Sequence, residues 1–137
     1  MAKISSISTD PFKDWYSAVS KDQSDGVVLK GADREMFNYA FESLTAGTYD
    51  LAYKGFLELS EKGSSISQYF LGKMCLKGMG VLQDFSQAHM WFNIAASRGH
   101  KKAKAQLDRL TIKMSRDQIA EAQKLAREWV AMNHKEY

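Results

Sequence analysis

From Ser64 to Gly99 the chain reads SSISQYFLGKMCLKGMGVLQDFSQAHMWFNIAASRG, two amphipathic helical patterns separated by a glycine-broken loop and closed by a glycine. Ser67, Leu71, Cys75 and Leu76 share one face of the first pattern, and Phe85, Ala88, Phe92, Ala95 and Ala96 share one face of the second. Between them, Lys77-Gly78-Met79-Gly80-Val81 supplies two residues free to take positive φ where the first helix must end. Asp84 can cap the next helix through its carboxylate, and Gly99 ends it. The stretch predicts a helical hairpin whose two apolar faces both need a partner.

That partner is supplied by repetition. Thr48 to Phe56 resembles Asp84 to Phe92, and Ala52 and Ala88, Phe56 and Phe92, and Gly63 and Gly99 each stand 36 positions apart. The same shift carries Ser67 to Ala103 and Leu71 to Leu107. A period of this size in a helical chain means stacked hairpins, none able to bury its apolar face alone. Upstream the offset shrinks to 32, since Tyr39-Ala40 matches Leu71-Gly72, so the first repeat lacks the Gly-x-Gly loop.

The central string resembles the Sel-1-like repeat, a relative of the tetratricopeptide repeat. The resemblance rests on Gln68-Tyr69, Leu71-Gly72, Gly78, Gly80-Val81, Asp84-Phe85, Ala88, Trp91-Phe92, Ala95-Ala96 and Gly99, while Ser67 stands where Ala is usual and Cys75 where Tyr is usual. It covers one repeat well and its neighbours in part. It implies an all-α fold, a short right-handed α-α superhelix (solenoid) of stacked helical hairpins, of the small bacterial type.

Residues 1–32 read as an N-terminal extension, with a short helix at about 11–20 started by Thr9-Asp10-Pro11, then a loop around Asp25-Gly26. Phe12, Trp15, Tyr16 and Val19 form an aromatic stripe expected to dock on the first hairpin. Residues 33–132 read as the repeat domain: a degenerate repeat at 33–63 opened by an Asp33 cap, the full repeat at 64–99, and a partial repeat plus capping helix at 100–132. Ser115-Arg116-Asp117-Gln118 is a capping box for that last helix. Its Ile119, Ala122, Ala126, Trp129 and Val130 face inward, and Glu121, Lys124, Arg127 and Glu128 keep its outer face polar, as the end of a stack requires. Residues 133–137 read as a frayed tail.

Composition excludes several function classes. A net charge of +3, with acidic residues spread along the chain, does not drive binding to nucleic acid or an anionic membrane. One cysteine rules out an internal disulfide framework and, with three scattered histidines, provides no zinc site. No apolar run approaches the roughly 20 residues of a membrane span. Met1 to Asp10 lacks a signal-peptide core, which reads as cytoplasmic, or periplasmic if a leader had been removed.

No catalytic constellation emerges. His89 lies among repeat positions, so a packed or surface imidazole is expected rather than a general base. Cys75 should be a buried, inert thiol. Gly78-Met79-Gly80 follows a helix and lacks the Lys-Ser/Thr pair of a phosphate loop. The chain reads as no enzyme, with no cofactor and no metal.

What the resemblance implies instead is a protein-protein interaction module, an adaptor binding a peptide or partner helix on a concave surface lined by the first helix of each hairpin. The positions left free by the repeat pattern are Asn38, Phe41 and Glu42, then Phe70, Lys73, Met74 and Lys77, then Gln106, Arg109 and Lys113. Phe70 reads either as an anchor for a partner or as core. A basic patch, Arg98, Lys101, Lys102 and Lys104, suits an acidic protein partner better than RNA, since no aromatics are interleaved with it. The alternatives are an inhibitor or immunity-type protein sequestering one enzyme or toxin, and a self-associating structural protein, with a homodimer.

Overall fold

The computed structural model describes Phe12, Trp15 and residues 29–133. The expected helix at 11–20 beyond Phe12 and Trp15, the loop up to residue 28 and the tail after Asn133 lie outside the described residues.

Six helices and no strand are present among the described residues: α1 (Gly31–Ala46), α2 (Tyr49–Glu61), α3 (Ser65–Lys77), α4 (Phe85–Ser97), α5 (Lys101–Lys113) and α6 (Arg116–Asn133). They form a helical repeat stack in which α1 packs on α2, α2 on α3, α3 on α4 and α4 on α5.

The period is written into the backbone. Gly63 and Gly99 have φ of 95° and 96°, a left-handed conformation that costs glycine little. After each, the next amide turns back on the helix just ended: Ser64 N donates to Leu59 O and His100 N to Ala95 O, both at 3.1 Å. The following helix is then capped by the residue after the glycine. Ser64 Oγ accepts from Ser67 N at 3.3 Å, and His100 Nδ1 accepts from Ala103 N at 3.2 Å. Asp84 caps α4 through Gln87 N at 3.0 Å. The capping box forms with both arms, Gln118 N to Ser115 Oγ at 3.1 Å and Ser115 N to Gln118 Oε1 at 2.9 Å.

One cap differs from expectation. α1 starts at Gly31 after Lys30, with no side-chain cap. Asp33 therefore lies inside the first turn, and its carboxylate takes Lys62 Nζ at 2.8 Å. The negative charge still sits at the positive end of the helix dipole, but it ties α1 to the end of α2 rather than closing an N-terminus.

The core is aromatic where the first two repeats meet. Phe37 of α1, Phe56 of α2 and Phe70 of α3 are buried and touch one another, with ring centroids 5.2 to 5.8 Å apart. Inside each hairpin a small residue admits close approach. Gly72 faces the Phe92 ring of α4, while in the first repeat Ala40, the counterpart of Gly72, faces Gly55 of α2. α3 is buried from Ser65 to Cys75, as befits a central helix covered from every side.

At the far end α6 leaves the hairpin pattern. It lies mainly against α4, with Trp129 edge-on to Trp91 at 5.2 Å, instead of pairing closely with α5. Ala122 and Ala126 are buried beneath it, and Glu121, Lys124, Arg127 and Glu128 are exposed.

Candidate functional site

The first helices of the hairpins, α1, α3 and α5, form one row. Phe37 and Phe41 on α1 stack on Phe70 of α3 at 5.8 and 5.6 Å, and Tyr69 of α3 stacks on His100, the cap of α5, at 4.8 Å. Along α5, Lys102, Gln106, Arg109 and Lys113 fall at i, i+4, i+7 and i+11, a single stripe. The same register 36 residues earlier is Ile66, Phe70, Lys73 and Lys77 on α3. On α1, 32 residues before α3, it is Arg34, Asn38, Phe41 and Thr45.

These stripes are not equally open. On α5, Arg109 and Lys113 are exposed and Lys102 and Gln106 half-buried. On α1, Asn38 and Glu42 are exposed while Phe41 is half-buried against its aromatic neighbours. On α3 only Lys77 is exposed. Phe70 and Met74 are fully buried, and Lys73 is 6% exposed. The expectation that Lys73 and Met74 line an open surface is corrected, and of the two readings of Phe70 its burial favours core: it fills the joint between hairpins against Phe37 and Phe56.

Part of the covering comes from outside the repeats. The Trp15 ring lies 5.1 Å from that of Phe70, and Lys73 Nζ sits 4.9 Å from the Trp15 centroid and 5.6 Å from that of Tyr69. An ammonium held over two ring faces keeps favourable electrostatics away from bulk water. Phe12 meets Trp15 edge-on at 5.4 Å, and Trp15 N donates to Phe12 O at 2.9 Å. Periodicity singled out this aromatic stripe but not its register on α3, because the contact depends on how the chain returns to the stack.

The basic patch is divided by helix geometry. Lys101 and Lys104 are exposed on a different side of α5 from Lys102, and Lys104 pairs with Asp108 at 2.8 and 3.0 Å. Arg98 is half-buried at the end of α4. The cations that share one stripe of α5 are therefore Lys102, Arg109 and Lys113, with Gln106 among them.

The buried titratable groups are set for packing. Burial pushes the Cys75 thiol up to about 11 and Tyr53 up to about 12, so both stay protonated near neutrality. His89 is buried and lies 3.1 Å from Thr111 Oγ1 through Nε2. Thr111 gives its one hydroxyl proton to Leu107 O at 2.7 Å, so Nε2 must be the donor to the hydroxyl and Nδ1 carries no proton. Burial lowers the pKa of this imidazole. Among the described residues no group of three or more His, Cys, Asp or Glu side chains is placed to hold a metal ion. No helix among them is long and apolar enough to cross a membrane.

A surface groove of about 540 Å³ opens on the other row, between α4 and α6, lined by Ile94, Ala126 and Val130 with Asn93, Ser97 and Arg127 at its polar edge. Sequence reasoning missed it, because it exists only through the placement of α6 on α4.

Residues 65–100 match the family model of the Sel1 repeat, the span from the first turn of α3 to the cap of α5. No curated protein and no solved structure matches the chain significantly. Sel1 repeats generally mediate contacts between proteins. Residues 65–100, at the centre of the helical stack, are thus a Sel1-like repeat.

Proposed function

We propose that the chain is a non-enzymatic adaptor that binds an acidic peptide or partner helix along the row formed by α1, α3 and α5. The observation that carries this reading is the α5 stripe. Lys102, Gln106 and Arg109 occupy the register that α3 fills with the buried Ile66, Phe70 and Lys73, yet stay open or half-open to solvent, and Lys113 is exposed like its counterpart Lys77. A repeat position released from packing and given to cations is available to a partner's carboxylates. Asn38 and Glu42 extend the same row on α1. Rim charges of this kind steer association and set register more than they add affinity.

Capture from a cell lysate tests it, with the wild type beside Arg109→Glu/Lys113→Glu and beside Glu121→Lys on the outer face of α6. A protein lost with the α5 variant and retained with the α6 variant is the expected result. Equal capture by all three would remove the α5 stripe from the binding face.

A further inference from the structure

The α3 and α5 stripes occupy one register, but Phe70 and Lys73 are buried against Trp15 whereas Gln106 is half-buried and Arg109 exposed. Leu29, just ahead of α1, is buried, and Phe12 and Trp15 stand before the repeats in the sequence. They are 5% and 1% exposed, so two large aromatics from outside the repeats are sunk into the row. Their arrangement is that of a bound peptide: a single turn closed by Trp15 N to Phe12 O, a tryptophan tilted at 48° against the Phe70 ring with the Lys73 ammonium over its face, and a second ring edge-on to the first. Tryptophan in a desolvated pocket is the side chain by which partners most often anchor.

We propose that Phe12 and Trp15 are an intramolecular ligand of the α1/α3 face. The partner engaging that face is a protein segment with two aromatic side chains three residues apart on one turn, the second a tryptophan under Lys73, and it binds by displacing Phe12 and Trp15. This rests on reading the α1, α3, α5 row as the binding surface. A tethered segment acts at an effective concentration on the order of millimolar. A free segment of equal chemistry therefore binds with its affinity reduced by the fraction of sites left open.

The probe is a fluorescein-labelled synthetic peptide of residues 9–19, TDPFKDWYSAV, titrated by anisotropy into the whole chain. The Phe12→Ala/Trp15→Ala variant is expected to bind it about tenfold or more tightly than wild type. Adding Lys73→Gln should weaken that binding several-fold, and a peptide with alanine in place of its tryptophan should not bind. Equal binding by wild type and double variant, or none by a double variant of native circular dichroism, would overturn the proposal. So would a dimer of wild type exchanging this segment between copies, seen by light scattering, since the face would then serve self-association.

If the double variant fails to fold, wild type labelled with 5-fluorotryptophan decides. Excess peptide should move the Trp15 fluorine resonance, identified by its loss in Trp15→Phe, to a solvent-exposed shift. An unmoved resonance would end the idea. Lysate capture separates this proposal from the broader one: a partner lost with Arg109→Glu/Lys113→Glu but held equally by wild type and Phe12→Ala/Trp15→Ala would leave the adaptor standing without its intramolecular ligand.

Discussion

A Cβ placed on Gly72 would stand 2.6 Å from Cε1 of Phe92, so the two helices of the central hairpin approach as closely as a glycine allows. Gly72→Ala sets two effects against each other. Helix propensity gains about 1 kcal/mol, and overpacking against a fully buried ring costs roughly 1–3 kcal/mol. We expect net destabilisation, with Gly72→Leu worse and Gly72→Ala/Phe92→Leu partly restored. Urea midpoints measure this, and an Ala variant as stable as wild type would mean that Phe92 swings aside freely.

The first repeat shows why this pair was only half legible. Leu71-Gly72 and Phe92 belong to the recognisable repeat pattern, so a close approach could be anticipated. That Ala40 would meet Gly55, exchanging where the smallest residue sits, follows from the packing of α1 on α2 and not from either segment's own pattern.

His100 serves α5 as Ser64 serves α3, but it also stacks on Tyr69. His100→Ala should cost about 1–2 kcal/mol for the lost cap. His100→Asn should recover the cap but not the ring contact and so fall between wild type and Ala. Thermal denaturation of the three proteins checks the order; an Asn variant equal to Ala would show that the cap contributes nothing.

The buried His89 makes stability fall with acid. Its pKa is lowered in the fold, so below the ordinary imidazole value of about 6.5 the unfolded chain binds a proton that the native state does not. Its contribution is therefore complete above that value and declines as pH drops from there toward the lower folded pKa. The informative quantity is a difference between two proteins. The fall in melting temperature between about pH 7.5 and 5.5 should be smaller in His89→Gln than in wild type. Parallel profiles would exclude His89 as the source.

The Cys75 thiol, buried and raised to about 11, should resist alkylation in the native protein and react readily once urea unfolds it. Mass spectrometry after iodoacetamide treatment at about pH 7.5 reads this directly. Rapid native labelling at low denaturant would mean that α3 opens locally.

The sequence by itself determined the helices, their period and the caps at Asp84 and Ser115. Gly63 and Gly99, Asp84, and Ser115 with Gln118 act through neighbours a few residues away, and a 36-residue period leaves stacking as the way to bury every apolar face. Burial at the surface of the row was decided by tertiary structure alone. Phe70 and Lys73 are buried while Gln106 and Arg109, one period later, stay half-buried and exposed; Met74 and its counterpart Leu110 are buried in both repeats. Phe70 and Lys73 are buried because other helices, and Trp15 from outside the repeats, converge on α3 at the middle of the stack, while α5 lies near its end. Position along a stack is a property of the assembled chain, so the same register becomes core in one repeat and an open cationic stripe in the next.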